Sequence, residues 1–415
     1  MREVLTDKYW MSPFNYLDEV RDQLTLPPDN RVYIHDVTLR EAEQAPGIVF
    51  KADEKMAIAK ALDDMGVRSI ELFPVVSEED AALVTELLKL KLNAEVVCLA
   101  RWLKEDIDVV LKCGAREVLV ESNVNPWTLN QLWGMSEDDI IRKFSGAAKY
   151  AKDSGLVVSV MPWDAFRAPL NFLERLYKEL VYTAGVDRIT IADTSGVAIP
   201  WATAHIIRKL REWAPHTPIE MHAHNEMGLA TTAMLSAVVG GASYVHTSMI
   251  GLGHRGGNAA TEEVVMDLEL LLGIDTGINL EKIYPTALLV SELAKFPIAV
   301  NKPIVGENLF RYEAGLSVFI FEKVKAAGRP FAYVPFMPEM IGRRNYEFVL
   351  GKMSGNNSIK LKAASLNIAL SDEESKALTV MVKNESILRK AIITDDIFIE
   401  LTRKIKENKS IVHPK

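Results

Sequence analysis

The sequence predicts an α/β protein: a closed (β/α)8 barrel of the TIM type followed by a smaller, mainly helical C-terminal region. Three observations carry this. Eight short runs rich in β-branched and apolar residues recur between Val32 and Thr247. Between them the apolar residues change to helical spacing. Glycines stand where such helices would end, at Gly66, Gly114, Gly155, Gly185 and Gly241, and a left-handed helix C-cap favours glycine. Eight strand–helix repeats match a closed parallel barrel, whereas doubly wound sheets usually stop at about five to seven strands.

Taken in order, residues 1–30 mix aromatic and charged side chains and end in the turn signal Leu26-Pro-Pro-Asp-Asn30, which reads as an N-terminal extension. The barrel is expected over 31–275. Its strands are expected at 32–38, 69–73, 95–100, 117–121, 157–161, 188–192, 219–222 and 244–247. The helix over 53–65 places Met56, Ala59, Leu62 and Met65 on one face, as a helix packed on a sheet requires. Further helices are expected at 78–92, 140–154, 171–184, 202–213 and 231–239. Beyond 275 the pattern changes to a linker and helical subdomains over 276–415. These include a glycine-rich stretch, Gly351-Lys-Met-Ser-Gly-Asn-Asn357, and two or three charged amphipathic helices between Ser371 and Lys409.

Composition narrows the class. A chain of 415 residues, 48% hydrophobic and 25% charged, can bury a large core. Its net charge of −8 disfavours nucleic acid or an anionic membrane as the main partner. Cys98 and Cys113 lie in apolar surroundings, and two buried thiols are expected rather than a disulfide. No apolar run reaches membrane-spanning length. The first residues carry acids and no apolar leader segment, so a cytoplasmic protein is expected.

In a barrel of this kind the chemistry sits at the C-terminal strand ends. His222-Ala-His224 is the most pointed signal there. Residues two apart on a strand face the same way, so the two imidazoles would stand side by side at the end of the seventh strand. Alone, the pair reads equally well as two polar residues at a strand exit. Other polar groups converge on the same rim: Asp36-Val-Thr-Leu-Arg40-Glu41-Ala-Glu43-Gln44, Glu71, Arg101, Glu121-Ser-Asn123, Asp193-Thr194-Ser195 and Gly251-Leu-Gly-His-Arg-Gly-Gly-Asn258. Two histidines and one carboxylate leave coordination positions open for water and substrate, as a catalytic divalent metal needs. Oxygen-rich surroundings suit Mg or Mn, and the imidazoles keep Zn in play. His35 and His246 lie within strands and read as packed, hydrogen-bonded core residues.

Three of these stretches, Asp36-x-Thr-Leu-Arg-Glu-x-Glu-Gln44, His222-Ala-His-Asn225 and Gly251-Leu-Gly-x-Arg-x-Gly-Asn-Ala259, resemble the DRE-TIM metallolyases. The resemblance is to the Claisen-condensing branch of isopropylmalate, homocitrate and citramalate synthases, and Lys302–Gly306 with Gly351–Gly355 resemble that branch's linker and lid. It runs from residue 31 to about 360. It implies Glu41, His222, His224 and Asn258 as metal ligands, and Arg40 facing an oxygen that gains charge, oriented by Glu71. Gln44, Arg101, Trp163, Thr194 and His254 fall where the substrate would be contacted. The activity implied joins an acyl-CoA, acetyl-CoA above all, to a 2-oxo acid, in a homodimer.

The chain also departs from that pattern. The family's lid sequence His-Glu-Ser-Gly-Ile-His is replaced by Tyr312-Glu-Ala-Gly-Leu-Ser317, and Met353 stands for a histidine. Trp163 and His254 each take the place of a glutamate. Trp127 and Trp133 with Trp163 would make the rim aromatic. Proton removal from a methyl group needs a base, for which Tyr312, Glu313, Tyr346 and His254 are the candidates. Two other readings stand beside the synthase: a metal-dependent lyase or aldolase of a hydroxy acid, and a non-catalytic metal or small-molecule binder. The first lacks the lyase branch's cysteine in 251–258, and the intact Arg40, Glu41 and histidine pair tell against the second.

Overall fold

The structure, a computed structural model, describes residues 5–412 apart from Asn345, with side chains described as far as Glu407. The eight strands close into a parallel barrel in sequence order. They are β1 (Tyr33–Asp36), β2 (Ser69–Leu72), β3 (Glu95–Arg101), β4 (Glu117–Asn123), β5 (Val157–Trp163), β6 (Arg188–Asp193), β7 (Ile219–Ala223) and β8 (Tyr244–Thr247). Closure is made by β1 on β8, in register from Tyr33 opposite Tyr244 to Asp36 opposite Thr247. The strands are largely buried on both faces, and their polar residues, such as His35, Glu71 and Glu220, find partners inside the barrel.

Helices Ala52–Met65, Glu78–Lys89, Glu137–Asp153, Leu170–Tyr182, Pro200–Trp213 and Ala230–Val238 alternate with the strands. Gly66 ends the first of these at φ +97°. A Cβ there would come within 2.8 Å of the Gly277 carbonyl oxygen, so both the turn and the close approach call for glycine.

The barrel interior is split by composition. On the β3–β6 side, Val97, Leu99, Leu119, Met161 and Ala192 form a dry cluster against which Phe73 and Trp163 pack. The rest of the interior is polar, including the start of β6. His35 and His246 stack with centroids 4.1 Å apart. His35 Nε2 lies 2.8 Å from Glu71, and Ser69 Oγ meets His35 Nδ1 at 2.8 Å. Glu220 takes the Thr190 hydroxyl at 2.6 Å and pairs with Arg188 at 2.8 Å. The sequence reading of His35 and His246 as bonded core residues agrees with these contacts.

Two compact units are present, Pro13–Ile298 and a second made of the segment ending at Ser12 with Ala299 onward. The barrel unit thus runs beyond 31–275 in both directions. At its start, Tyr16 Oη donates to the Leu270 carbonyl at 3.2 Å and Arg21 Nη1 to that of Leu272 at 3.0 Å. At its end, helix Ile283–Leu293 packs on helix Ala52–Met65. The earliest described residues belong instead to the second unit, where Met337 N donates to Lys8 O at 2.8 Å.

Within the second unit, strands Arg311–Tyr312 and Glu347–Phe348 pair in parallel. Helices Asn356–Ser365, Asp372–Arg389 and Asp395–Val412 enclose a core that includes Leu350, Ile359, Leu378, Val382 and Phe398. A reciprocal capping box between Ser371 and Glu374 starts the middle helix. Cys98 and Cys113 are buried free thiols. Among the described residues no helix is long and apolar enough to cross a membrane.

Candidate metal centre and substrate pocket

β1 delivers two functional side chains through a single helical turn, Thr38–Glu41. Asp36 starts that turn by accepting from Thr38 N at 2.9 Å and from its hydroxyl at 3.0 Å. The Thr38 hydroxyl in turn accepts from Met249 N at 2.8 Å, which ties the turn to the segment after β8. Arg40 and Glu41 are both buried. Arg40 is gripped by two carboxylates, its Nε bonded to Glu71 and its Nη1 to Glu41. Burial alone would raise the Glu71 carboxyl, but the Arg40 charge and the bond from His35 outweigh it and hold it at about 2.

Alternation along β7 turns Glu220 and His222 inward, and His224 follows just past the strand end. The Nε2 atoms of His222 and His224 lie 3.3 Å apart, and His222 Nε2 is 3.7 Å from Glu41. One ligand atom from each of Glu41, His222 and His224 lies within 4.8 Å of the others. The Asn258 amide reaches His222 Nε2 at 3.4 Å. The backbone of Asn258 also forms a bridge with that of His224.

The chemistry of these groups fits a divalent cation. Glu41 Oε2 and Asn258 Oδ1 are buried without a hydrogen-bond partner, a costly state unless something positive binds there. Both imidazoles are held neutral, the form that ligates. Burial, then His224 and Arg40, pushes His222 far below its ordinary value. Burial, then Arg255, pulls His224 down to about 4. Glycines let the loop after β8 fold beneath the amide: a Cβ on Gly253 would lie 1.8 Å from Asn258 Oδ1.

A cavity of about 290 Å³ opens over this cluster. It gathers Arg40, Glu41, His222 and His224 with four residues expected to contact substrate, Gln44, Trp163, Thr194 and His254. The Thr194 oxygen accepts from Asp164 N at 2.8 Å, which leaves its O–H to donate.

Arg101 does not line the cavity. Its guanidinium is turned onto Asp106, with Nε–Oδ2 at 2.7 Å and Nη2–Oδ1 at 2.9 Å. The aromatic rim is also narrower than expected. Trp127 and Trp133, on helix Pro126–Trp133, are 67% and 48% exposed and are not part of the lining. Glu121 and Arg255, which the sequence placed only within rim stretches and gave no role, line it too, as do Met161 and Ala192. Glu121 shares its face of β4 with Leu119, two residues before it, but which face is inward is set by the apolar cluster and not by alternation alone.

Tyr312, Glu313 and Tyr346 lie in the second unit. Tyr312 stacks on Phe321 at 5.4 Å, and Tyr346 meets the same ring edge-on at 4.5 Å. Burial raises both phenols, Tyr312 to about 12, which is unsuited to a base near neutral pH. Glu313 accepts from Met353 N at 2.8 Å.

Two families match separate stretches of the chain. Residues 31–290 match the HMGL-like family, and residues 304–390 match the homocitrate synthase post-HMGL domain-like family. The chain is 33% identical over 401 residues to the homocitrate synthase AksA of Methanothermobacter thermautotrophicus, covering 96% of this chain and 98% of that one. It is 37% identical to the (R)-citramalate synthase CimA of Methanocaldococcus jannaschii, covering 91% and 76%. It is 36% identical to a probable 2-isopropylmalate synthase of Ignicoccus hospitalis, covering 92% and 94%. Among solved structures, the hydroxymethylglutaryl-CoA lyase of Pseudomonas aeruginosa superposes with a TM-score of 0.58 at 20% identity, over 66% of this chain and 95% of that one. That likeness speaks for the barrel fold alone.

Proposed function

Because the chain belongs to the HMGL-like family and carries the homocitrate synthase type of second domain, we propose that it joins an acyl-CoA to a 2-oxo acid with formation of a carbon–carbon bond. It is a metal-dependent acyltransferase of the homocitrate, citramalate and isopropylmalate synthase kind. The observation that carries the reading is the Glu41–His222–His224 cluster, which lines one pocket together with Arg40.

Glu41, His222 and His224 would hold the metal, Mg, Mn or Zn, with Asn258 as a further ligand. When bound, the metal supplies Lewis-acid polarisation of a ketone oxygen. Arg40 presents a fixed guanidinium where negative charge develops on that oxygen, and needs no reorganisation because Glu71 and Glu41 already hold it. The Thr194 hydroxyl and the Gln44 amide, which line the same pocket, are assigned to the acid's carboxylate. His254 lines the same pocket and is the base assigned to the methyl proton of acetyl-CoA. Its proton gain leaves the electron pair to form the new carbon–carbon bond. Water then cleaves the thioester and CoA leaves as the thiol. A cytoplasmic homodimer completes this reading, on the family resemblance.

Thiol release from acetyl-CoA with a panel of 2-oxo acids, with and without added metal, tests it. Metal-dependent release with at least one acid is expected. No release with any acid, together with metal-dependent cleavage of a hydroxy acid, would replace the synthase by a lyase.

A further inference from the structure

The synthase reading leaves the acceptor open, and the pocket wall narrows it. Glu121 lies on β4, two residues beyond Leu119 and so on the same inward face. In register it stands between Arg101 on β3 and Met161 on β5. It lines the cavity over the metal cluster, and no described side chain is hydrogen-bonded to its carboxyl, which burial raises and on which the charges of Arg40, Glu71, Arg101 and Asp106 act. The cations near it are committed elsewhere: Arg40 keeps only Nη2 without a partner, at the end of the pocket where the synthase reading places the ketone oxygen, and the others are paired. Arg40 is bonded to Glu41 and Glu71, Arg101 to Asp106, and Arg255 to Glu226 and the Thr194 carbonyl. Met161 and Trp163 complete that wall with a thioether and an indole.

A distal carboxylate on the acceptor would therefore be desolvated against an acid and apolar surface, with no cation to pair it. We propose that Glu121 is a specificity residue that restricts the acceptor to 2-oxo monocarboxylic acids with an uncharged side chain and rejects 2-oxo dicarboxylic acids. This rests on the synthase reading for the identity of the site. It adds a repulsive element in the wall, the usual means of excluding a near analogue.

The test compares pyruvate, 2-oxoisovalerate and 2-oxoglutarate as acceptors at pH 8, above the value of about 7 to which burial raises the Glu121 carboxyl. For each acid, kcat/KM with acetyl-CoA and the calorimetric Kd for the Mn-loaded protein are measured. The best monocarboxylic acid should exceed 2-oxoglutarate at least ~100-fold, and Glu121→Gln and Glu121→Ala should each narrow that gap at least ~10-fold with metal content unchanged. Equal use of 2-oxoglutarate by the unaltered protein overturns the proposal, as does a ratio unmoved in both variants. If no acid releases thiol, the synthase reading fails, and the Kd ranking still decides the role of Glu121. If neither variant folds, the ranking is repeated below pH 7, where the Glu121 carboxyl gains a proton, and a gap that does not narrow there overturns the proposal.

Discussion

His35 Nε2 lies 2.8 Å from one oxygen of Glu71, while Arg40 holds the other. A buried chain thus runs from Ser69 through His35, Glu71 and Arg40 to Glu41, linking the middle of the barrel to its mouth. Glu71 is its hinge of charge. Its carboxyl sits at about 2, below the ordinary 4.5, which corresponds to about 3 kcal/mol of stability. Because the folded value is depressed, that contribution is present above pH 4.5 and is lost as pH falls toward 2. Glu71→Gln should cost about 3 kcal/mol at pH 7 in urea unfolding, and its difference from the unaltered protein should shrink with acid over that window. A difference independent of pH would show that Glu71 contributes packing and not charge.

Arg40→Lys keeps the positive charge but loses the planar fork that reaches both Glu71 and Glu41. It should lower kcat at least ~100-fold while metal content, measured by elemental analysis, stays at the unaltered level. Retained turnover would remove Arg40 from the chemistry.

Gly253→Ala places a methyl group on the Asn258 amide, 1.8 Å from its oxygen before relaxation. The amide is the end of a side chain and can swing away, so the fold should survive. Metal affinity should fall about 10- to 100-fold by calorimetry, with the far-ultraviolet dichroism unchanged. Unchanged affinity would exclude Asn258 as a ligand.

His254→Gln keeps a polar side chain in the pocket and removes the base. Exchange of the acetyl-CoA methyl protons with deuterated water, followed by NMR in the presence of a non-reacting acid analogue, should drop about 100-fold. Binding of the 2-oxo acid should change little. Undiminished exchange would return the role to another group.

The barrel was legible because its strands are short apolar runs with glycine punctuation, and β8 was placed residue for residue. β4 and β5 run two residues further than their apolar pattern, to Asn123 and Trp163. There the ladder continues, with Asn123 opposite Trp163, while the side chains turn from core packing to pocket lining. Helix Glu137–Asp153 begins ahead of its first apolar residue, Ile140, because the capping box of Ser136 and Asp139 sets the start. Helix Pro126–Trp133 escaped the pattern because it leaves Trp127, Leu132 and Trp133 exposed. Its signal was the Asn125 cap followed by Pro126 at the first helical position.

The ligand cluster was legible for a related reason. His222 and His224 are two residues apart on one strand, and Arg40 and Glu41 share one turn, so local geometry sufficed to group them. The wall of the pocket was not. Arg101 points away because Asp106, five residues on, captures it. Glu121 faces inward only by virtue of which face of β4 meets the apolar cluster. Such choices depend on contacts between strands, which no short motif records.

The bonded cluster and the apolar cluster of the barrel interior also differ in how much change they can absorb. On the polar side, His35, Glu71, Arg40 and the histidine pair are bonded to one another, so a change in one disturbs several and such positions tolerate little drift. On β3–β6, residues such as Met161, Ala192 and Trp163 meet through shape, and a swap of similar volume disturbs few neighbours. The apolar wall can therefore be refitted by swaps of similar volume while the bonded groups, and with them the chemistry, stay in place.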